Sequence, residues 1–190
     1  MRTIHISNLL PKVENEVLKA IKERRSVNRF RSDEVPEDKL EAILEAGRSA
    51  PSWTNTQPWK FIVVKQDKLK RELTELAGTI TGIGIEEAPV VVVVAVDPKT
   101  DPYNYVEDGA AATQNMLLAA HSLGLGAFWV GTFNLAREKG SSEERIKELL
   151  SIPDPYRVIS LIPIGTPAFT PTKTRKPLTE IVYKESFGKT

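Results

Sequence analysis

The sequence predicts a sheet covered by helices on both faces, in the α/β or α+β class, and three observations carry that expectation. Helical and strand-like patterns alternate along the chain, ending in a short tail. The run Pro89-Val-Val-Val-Val-Val-Ala-Val96 is apolar at every position, as expected of a strand buried on both faces. A long helical stretch, from about Tyr105 to Leu123, is crowded with small residues (Gly109, Ala110, Ala111, Ala112, Ala119, Ala120) that let another helix approach closely. Pattern alone does not give the strand order.

Residues 12 to 25 are charged and helix-prone, with Val13, Val17, Leu18 and Ile21 at helical spacing. The pair Arg24-Arg25 suits the negative end of that helix. Pro36 opens a second helix, whose buried face is Leu40, Ile43, Leu44 and Gly47. Trp59-Lys-Phe-Ile-Val-Val64 reads as a strand, residues 67 to 77 as a helix with Leu69, Leu73 and Leu76 inward, and Gly78, Gly82 and Gly84 as its break. After the valine strand, Asp97-Pro98 and Asp101-Pro102 stop the run, and Gly124 caps the long helix. Ala127-Phe-Trp-Val-Gly131 is a third strand, residues 142 to 150 a charged helix, and Val158-Ile-Ser-Leu-Ile-Pro-Ile164 a fourth strand. Pro163 there suggests an edge, a bulge or a strand end. The tail, Thr170 to Thr190, carries Leu178, Ile181, Val182 and Tyr183, too short an apolar stretch to fold alone.

A chain of 190 residues fits one domain, taken as residues 1–190. Its 26 basic and 25 acidic residues sum to +1, so no global field recruits nucleic acid or a membrane surface. With no cysteine, thiol nucleophiles, disulfides and iron–sulfur clusters are excluded. His5 and His121 lie far apart, which argues against a metal site. No apolar run approaches the ~18 residues of a membrane span. The start has no signal-peptide pattern, and a cytoplasmic location is expected. Such a chain must draw its chemistry from hydroxyls, amides, carboxylates, arginines or a bound cofactor, and the cofactor is the economical choice.

The stretch Ala50-Pro-Ser-Trp-Thr-Asn-Thr-Gln-Pro-Trp59 is too polar for a core and too aromatic for an ordinary turn. It reads as a functional loop held on a scaffold. Asn55 has a competing role in local turn chemistry. Trp53 and Trp59 read as packing residues.

Together with this loop, Arg24-Arg-Ser-Val-Asn-Arg-Phe30, the stretch from Asp108 to Trp129 and Arg175-Lys-Pro-Leu178 resemble the FMN-dependent nitroreductase family over residues 15 to 183. The resemblance implies an α+β sandwich with a mostly antiparallel sheet. It also implies a domain-swapped homodimer in which the tail from about residue 168 wraps the partner, with FMN at the interface. Arg24, Arg25, Ser26, Arg175 and, as a lesser candidate, Lys176 would then hold the phosphate, ribityl or ring oxygens. Pro51, Ser52, Asn55 and Gln57 would meet the flavin of the other subunit, and Val130, Gly131 and Thr132 would pass its N5 edge. Asn28 departs from the basic residue common in relatives, and would offer the flavin ring a hydrogen bond with less charge. NAD(P)H would be the reductant and a nitroaromatic, quinone or flavin the small-molecule acceptor, in a ping-pong cycle. Two alternatives stay open: a divergent branch (reductive dehalogenase, dehydrogenase or flavin-degrading enzyme) and a non-catalytic flavin-binding dimer.

Overall fold

The structure, a computed structural model, describes residues 13–78, 82 and 84–189. The amino-terminal start with His5, and Ile83 within the Gly82–Gly84 pair, lie outside the described residues. In chain order the elements are α1 (Glu16–Glu23), α2 (Glu37–Arg48), β1 (Trp59–Val64), α3 (Asp67–Ala77), β2 (Val90–Val96), α4 (Tyr105–Ser122), β3 (Gly126–Ala127), β4 (Val130–Gly131), α5 (Ser142–Leu149) and β5 (Arg157–Gly165). α1 is shorter than expected because Asn15 caps it, its Oδ1 accepting the Leu18 N–H at 2.9 Å.

The strands lie in the order β1-β2-β5-β3, with β4 also paired to β5, and each of these pairings is antiparallel. The class is therefore α+β. Alternation along the two central strands sorts their side chains cleanly. Val90, Val92, Val94 and Val96 pack with Leu40 and Ile43 of α2 and Met116 of α4, while Val91, Val93 and Ala95 pack with Leu73 of α3 and Ile146 of α5. Both faces are covered, which is why the valine run needs no polar position. Each buried valine contributes about 1.5 kcal/mol or more by removal from water.

The expected third strand is two short pieces. Gly126 pairs with Gly165 and Ala127 with Ile164, then Val130 pairs with Leu161 and Gly131 with Ser160. Continuing that register sets Phe128 opposite Pro163, which has no N–H to offer. Pro163 thus sits inside a central strand, not at an edge or an end, and its cost appears as the gap between β3 and β4. A bulge lies four residues earlier: Val94 pairs with Ser160 and Ala95 with Val158, leaving Ile159 extra. Ser160 can then meet Thr113 of α4 at 2.8 Å between hydroxyl oxygens.

Small residues on α4 serve neighbours within the chain. A Cβ on Gly109 would stand 2.6 Å from Ile159 Cγ1, and Ala112 and Ala120 are fully buried. On α2, a Cβ on Gly47 would lie 2.2 Å from Met116 Cε, so glycine sets the closeness of the α2–α4 contact. Two apolar surfaces stay uncovered: Val13, Val17, Leu18 and Ile21 on and before α1, and Leu178, Ile181, Val182, Tyr183 and Phe187 on the tail. Among the described residues, no helix is long and apolar enough to cross a membrane.

Candidate functional site

α1 ends at Arg24, whose N–H closes the last turn on the Ala20 carbonyl at 2.9 Å. The two arginines then divide the work. Arg25 Nη1 donates to the Lys22 and Arg24 carbonyls at 2.7 and 2.9 Å, satisfying the helix end. Arg24 Nη1 is buried and has no hydrogen-bond partner. A buried donor left unpaired costs about 1–3 kcal/mol. Arg24 and Arg25 line a cavity of about 190 Å³ together with His121, Ala127, Pro167 and Thr170. Burial pushes the Arg24 pKa down, and the charges of Arg175 and Arg25 push it further in the same direction. Three guanidinium groups therefore converge, one of them holding an unused buried N–H. That is the electrostatic complement of a bound anion.

The segment that follows is pinned along β3. Val27 N–H donates to the Ala127 carbonyl at 3.1 Å, and Ser26 bridges to Ala127. Ser26 is exposed beside the arginines. Asn28 is exposed too, with its carbonyl packed under Gly84, where a Cβ would come within 2.5 Å and φ is +90°. Arg29 is engaged in an exposed ion pair with Glu87. Arg175 and Lys176 are exposed on the tail, Arg175 donating to the Thr174 carbonyl at 3.2 Å.

At the end of β4, Val130 gives its side chain to the core, so only its main chain can face a ligand. Gly131 is exposed, and a Cβ there would meet nothing within 4 Å. Thr132 is buried with Oγ1 unpartnered. What holds this turn is a buried ion pair: Arg157 Nε and Nη2 reach Glu143 Oε1 and Oε2 at 2.6 and 2.8 Å. Glu143 also accepts the Asn134 N–H at 2.8 Å, Arg157 donates to the Asn134 carbonyl at 2.6 Å, and its guanidinium lies 4.5 Å over the Phe133 ring. Glu143 is the main cause that raises the Arg157 pKa.

The loop 50–59 is tightly organised. Thr54, Asn55 and Gln57 take positive φ values of 46°, 61° and 50°. Each such non-glycine conformation costs of order 1 kcal/mol and persists only when the surroundings impose it. Ser52 Oγ accepts the Gln57 N–H at 2.9 Å, and Gln57 Nε2 reaches the Asn55 carbonyl at 3.3 Å. From outside the loop, Asp108 on α4 accepts the Trp53 N–H with both carboxylate oxygens, at 3.1 and 3.2 Å. Trp59 is buried in the core as expected. Trp53 is not: it is 43% exposed and edge-on to Tyr103 at 5.4 Å.

Within one chain the expected site residues fall into three groups. Arg24, Arg25 and Arg175 converge; Gly131 and Thr132 line a cleft with Asn134 and Ser142; Pro51, Ser52, Asn55 and Gln57 form the loop. The loop is held at the first turn of α4 by Asp108, whereas the arginine cavity lies against His121 in the last turn of the same helix. Two contributors escaped the sequence reading. His121, to which the sequence assigns no role at the site, lines the arginine cavity from the last turn of α4, four residues after Leu117. Asp108 carries the loop across 55 positions of sequence, and only the apolar helix around it hinted at a committed carboxyl.

The sequence profile of the Nitroreductase family matches residues 21–81 and 76–166. A protein of Methanothermobacter thermautotrophicus with the provisional name NADH dehydrogenase/NAD(P)H nitroreductase is 39% identical over 171 residues, covering 89% of this chain and 85% of that one. FMN reductase [NAD(P)H] of Bacillus subtilis is 30% identical over 194 residues, covering 91% and 75%. Among solved structures, an FMN-dependent nitroreductase of Clostridium difficile R20291 superposes with a TM-score of 0.77 at 29% identity, over 89% of this chain and 96% of that one. The chain belongs to the nitroreductase family.

Proposed function

We propose that this chain is an NAD(P)H-dependent FMN oxidoreductase whose two flavin sites are each completed by a second copy. The observation that carries it is Arg24: a buried guanidinium N–H without a partner, beside two further guanidinium groups. A phosphate monoester supplies the acceptor that this N–H lacks and the charge that the cluster opposes. The unpartnered Thr132 hydroxyl and the open space over Gly131 suit the polar edge of a flat ring in the same way.

FMN bound there would supply the redox chemistry that carries hydride from NAD(P)H to a nitroaromatic, quinone or flavin acceptor in a ping-pong cycle. The protein's part is binding and orientation. Arg24, Ser26 and Arg175 hold the phosphate end, with Arg25 adding charge while capping α1. The main chain of Val130 and Gly131, with the Thr132 hydroxyl, presents donors to the ring edge, and the Glu143–Arg157 pair keeps that turn in place. Pro51, Ser52, Asn55 and Gln57 cover the ring of the partner's flavin and exclude water from one side. Asn28 offers a hydrogen bond without a charge, so the reduced flavin is less stabilised than beside a cation.

The homodimer reading is supported by the two uncovered apolar surfaces on α1 and the tail, which a second copy would bury. It is also supported by the separation of the loop from the arginines within one chain. The test is anaerobic reduction. Purified protein should carry yellow FMN that bleaches with NADH or NADPH and recovers its colour on adding a quinone. A protein that cannot be loaded with FMN sinks the reading, and one loaded but not reduced by either nucleotide sinks its NAD(P)H half.

A further inference from the structure

The loop that covers the flavin is strained and exposed, and its internal hydrogen bonds fix its shape but not its place on the scaffold, so something outside it must fix its position. That tie is Asp108. It lies in the first turn of α4 and is 5% exposed, and both of its oxygens sit on the Trp53 amide, one residue after Ser52. Behind it stands Asp101, fully buried, whose Oδ1 accepts the Tyr103 and Asn104 N–H groups at 3.0 Å each. Asp101 Oδ2 is buried and receives no donor from a side chain or amide. The two carboxyls lie close enough to act on one another, and a proton between them would serve that oxygen. Tyr103, whose amide Asp101 holds, is also the ring against which Trp53 rests. Loop, turn and helix therefore meet at one pair of carboxyl groups.

We propose that Asp108 is a positioning residue for the flavin-covering loop, and that a proton shared with Asp101 ties Ser52–Trp53 to the start of α4. The proposal deepens the flavin reading and rests on it. The physical basis is the cost of two buried carboxylates in contact: one must stay neutral for both to remain. Among the described residues, the charged groups acting on Asp108 are Asp101 from the preceding turn and Glu107 on α4, both anionic; the loop contributes the Trp53 amide. Burial and the hydrogen bond to Asp101 raise the Asp108 pKa to about 6, whereas the amides of Asn104 and Tyr103 help hold Asp101 below its ordinary value. Asp108 is thus the member that carries the proton; the Trp53 amide favours its ionised form and offsets part of the rise, and it is the link between the two carboxyls that loosens as pH rises through that value.

The experiment compares wild type with Asp108→Asn and Asp108→Ala. Asparagine keeps an oxygen for the Trp53 N–H and offers an amide N–H to Asp101 at every pH, imitating the protonated acid. In the FMN-free protein at about pH 5, protection of the Trp53 amide from hydrogen exchange, read by NMR, should match in wild type and Asp108→Asn and fall about ten-fold or more in Asp108→Ala. Dissociation constants for FMN are then measured from about pH 5 to 8 by flavin fluorescence. The phosphate's own ionisation is common to all variants and cancels in the ratio of wild type to Asp108→Asn. That ratio should be near one at the acid end and rise several-fold through pH 6. A flat ratio, or a Trp53 amide equally protected in Asp108→Ala, overturns the proposal. Absence of FMN binding in wild type would instead defeat the flavin reading, leaving the exchange result to decide the anchor by itself.

Discussion

Replacing Arg24 by methionine separates a ligand-waiting guanidinium from a structural one. The variant keeps much of the aliphatic stem and deletes the charge together with the unpartnered buried Nη1. In FMN-free protein that deletion removes an unpaired donor and relieves repulsion with Arg175 and Arg25. The expected result is no loss of stability and a gain of up to about 1 kcal/mol, or a few degrees in Tm. In the presence of FMN the same change removes a charge-assisted hydrogen bond, about 1.5–3 kcal/mol, or roughly 10- to 150-fold in the dissociation constant. The assay is quenching of flavin fluorescence, run in parallel with FMN and with riboflavin, which has no phosphate. FMN affinity should fall and riboflavin affinity stay unchanged. Equal losses for both flavins, or FMN-free protein destabilised by more than about 2 kcal/mol, would refute the reasoning.

Other outcomes follow from the same geometry. Glu143→Ala leaves Arg157 buried without its counter-charge and should cost about 3–5 kcal/mol in urea denaturation, whereas the paired Glu143→Met/Arg157→Met change should recover most of it. Asp108 is held near 6, above its ordinary 3.8, so the folded state binds more protons than the unfolded one between those values. Its contribution therefore favours folding at low pH and is lost as pH rises from 3.8 through about 6, and Asp108→Asn should flatten that slope of Tm against pH. Gly131→Ala meets nothing in the chain within 4 Å, so FMN-free stability should shift by less than about 0.5 kcal/mol while FMN affinity drops. Ile181→Asp with Val182→Asp puts charge on the uncovered tail and should shift sedimentation from dimer to monomer without altering the far-ultraviolet spectrum.

Much of the fold was legible because its signals are local. The valine run, the spacing of Leu40, Ile43 and Gly47, and Gly124 after α4 each depend on residues close in sequence, and each appears where expected. The gap between β3 and β4 was not legible, since it arises from Pro163 arriving opposite Phe128 only after the sheet is assembled. The same holds for the site. Residue types announced the arginine cluster, but nothing in Arg24-Arg25 says which guanidinium caps the helix and which is left unpaired; that is decided by the cavity around them. Trp53 and Trp59 look alike in sequence, and their different fates follow from Trp59 opening β1 while Trp53 hangs from Asp108. The separation of the loop from the arginines within one chain was expected only through the family resemblance, because chain pattern carries no information about a second copy.

The account stands on a flavin site built from two chains, and mixed dimers test that most directly. Arg24→Met weakens the phosphate end and Ser52→Trp blocks the covering loop, so neither homodimer should keep FMN through gel filtration at protein concentrations below its weakened dissociation constant. Refolded together in equal amounts, about half of the dimers would be mixed, each with one site carrying both defects and one carrying none. The account predicts recovery of FMN at about one per four protomers, reducible by NAD(P)H. If mixing restores no FMN, the site lies within a single chain and the central claim is wrong.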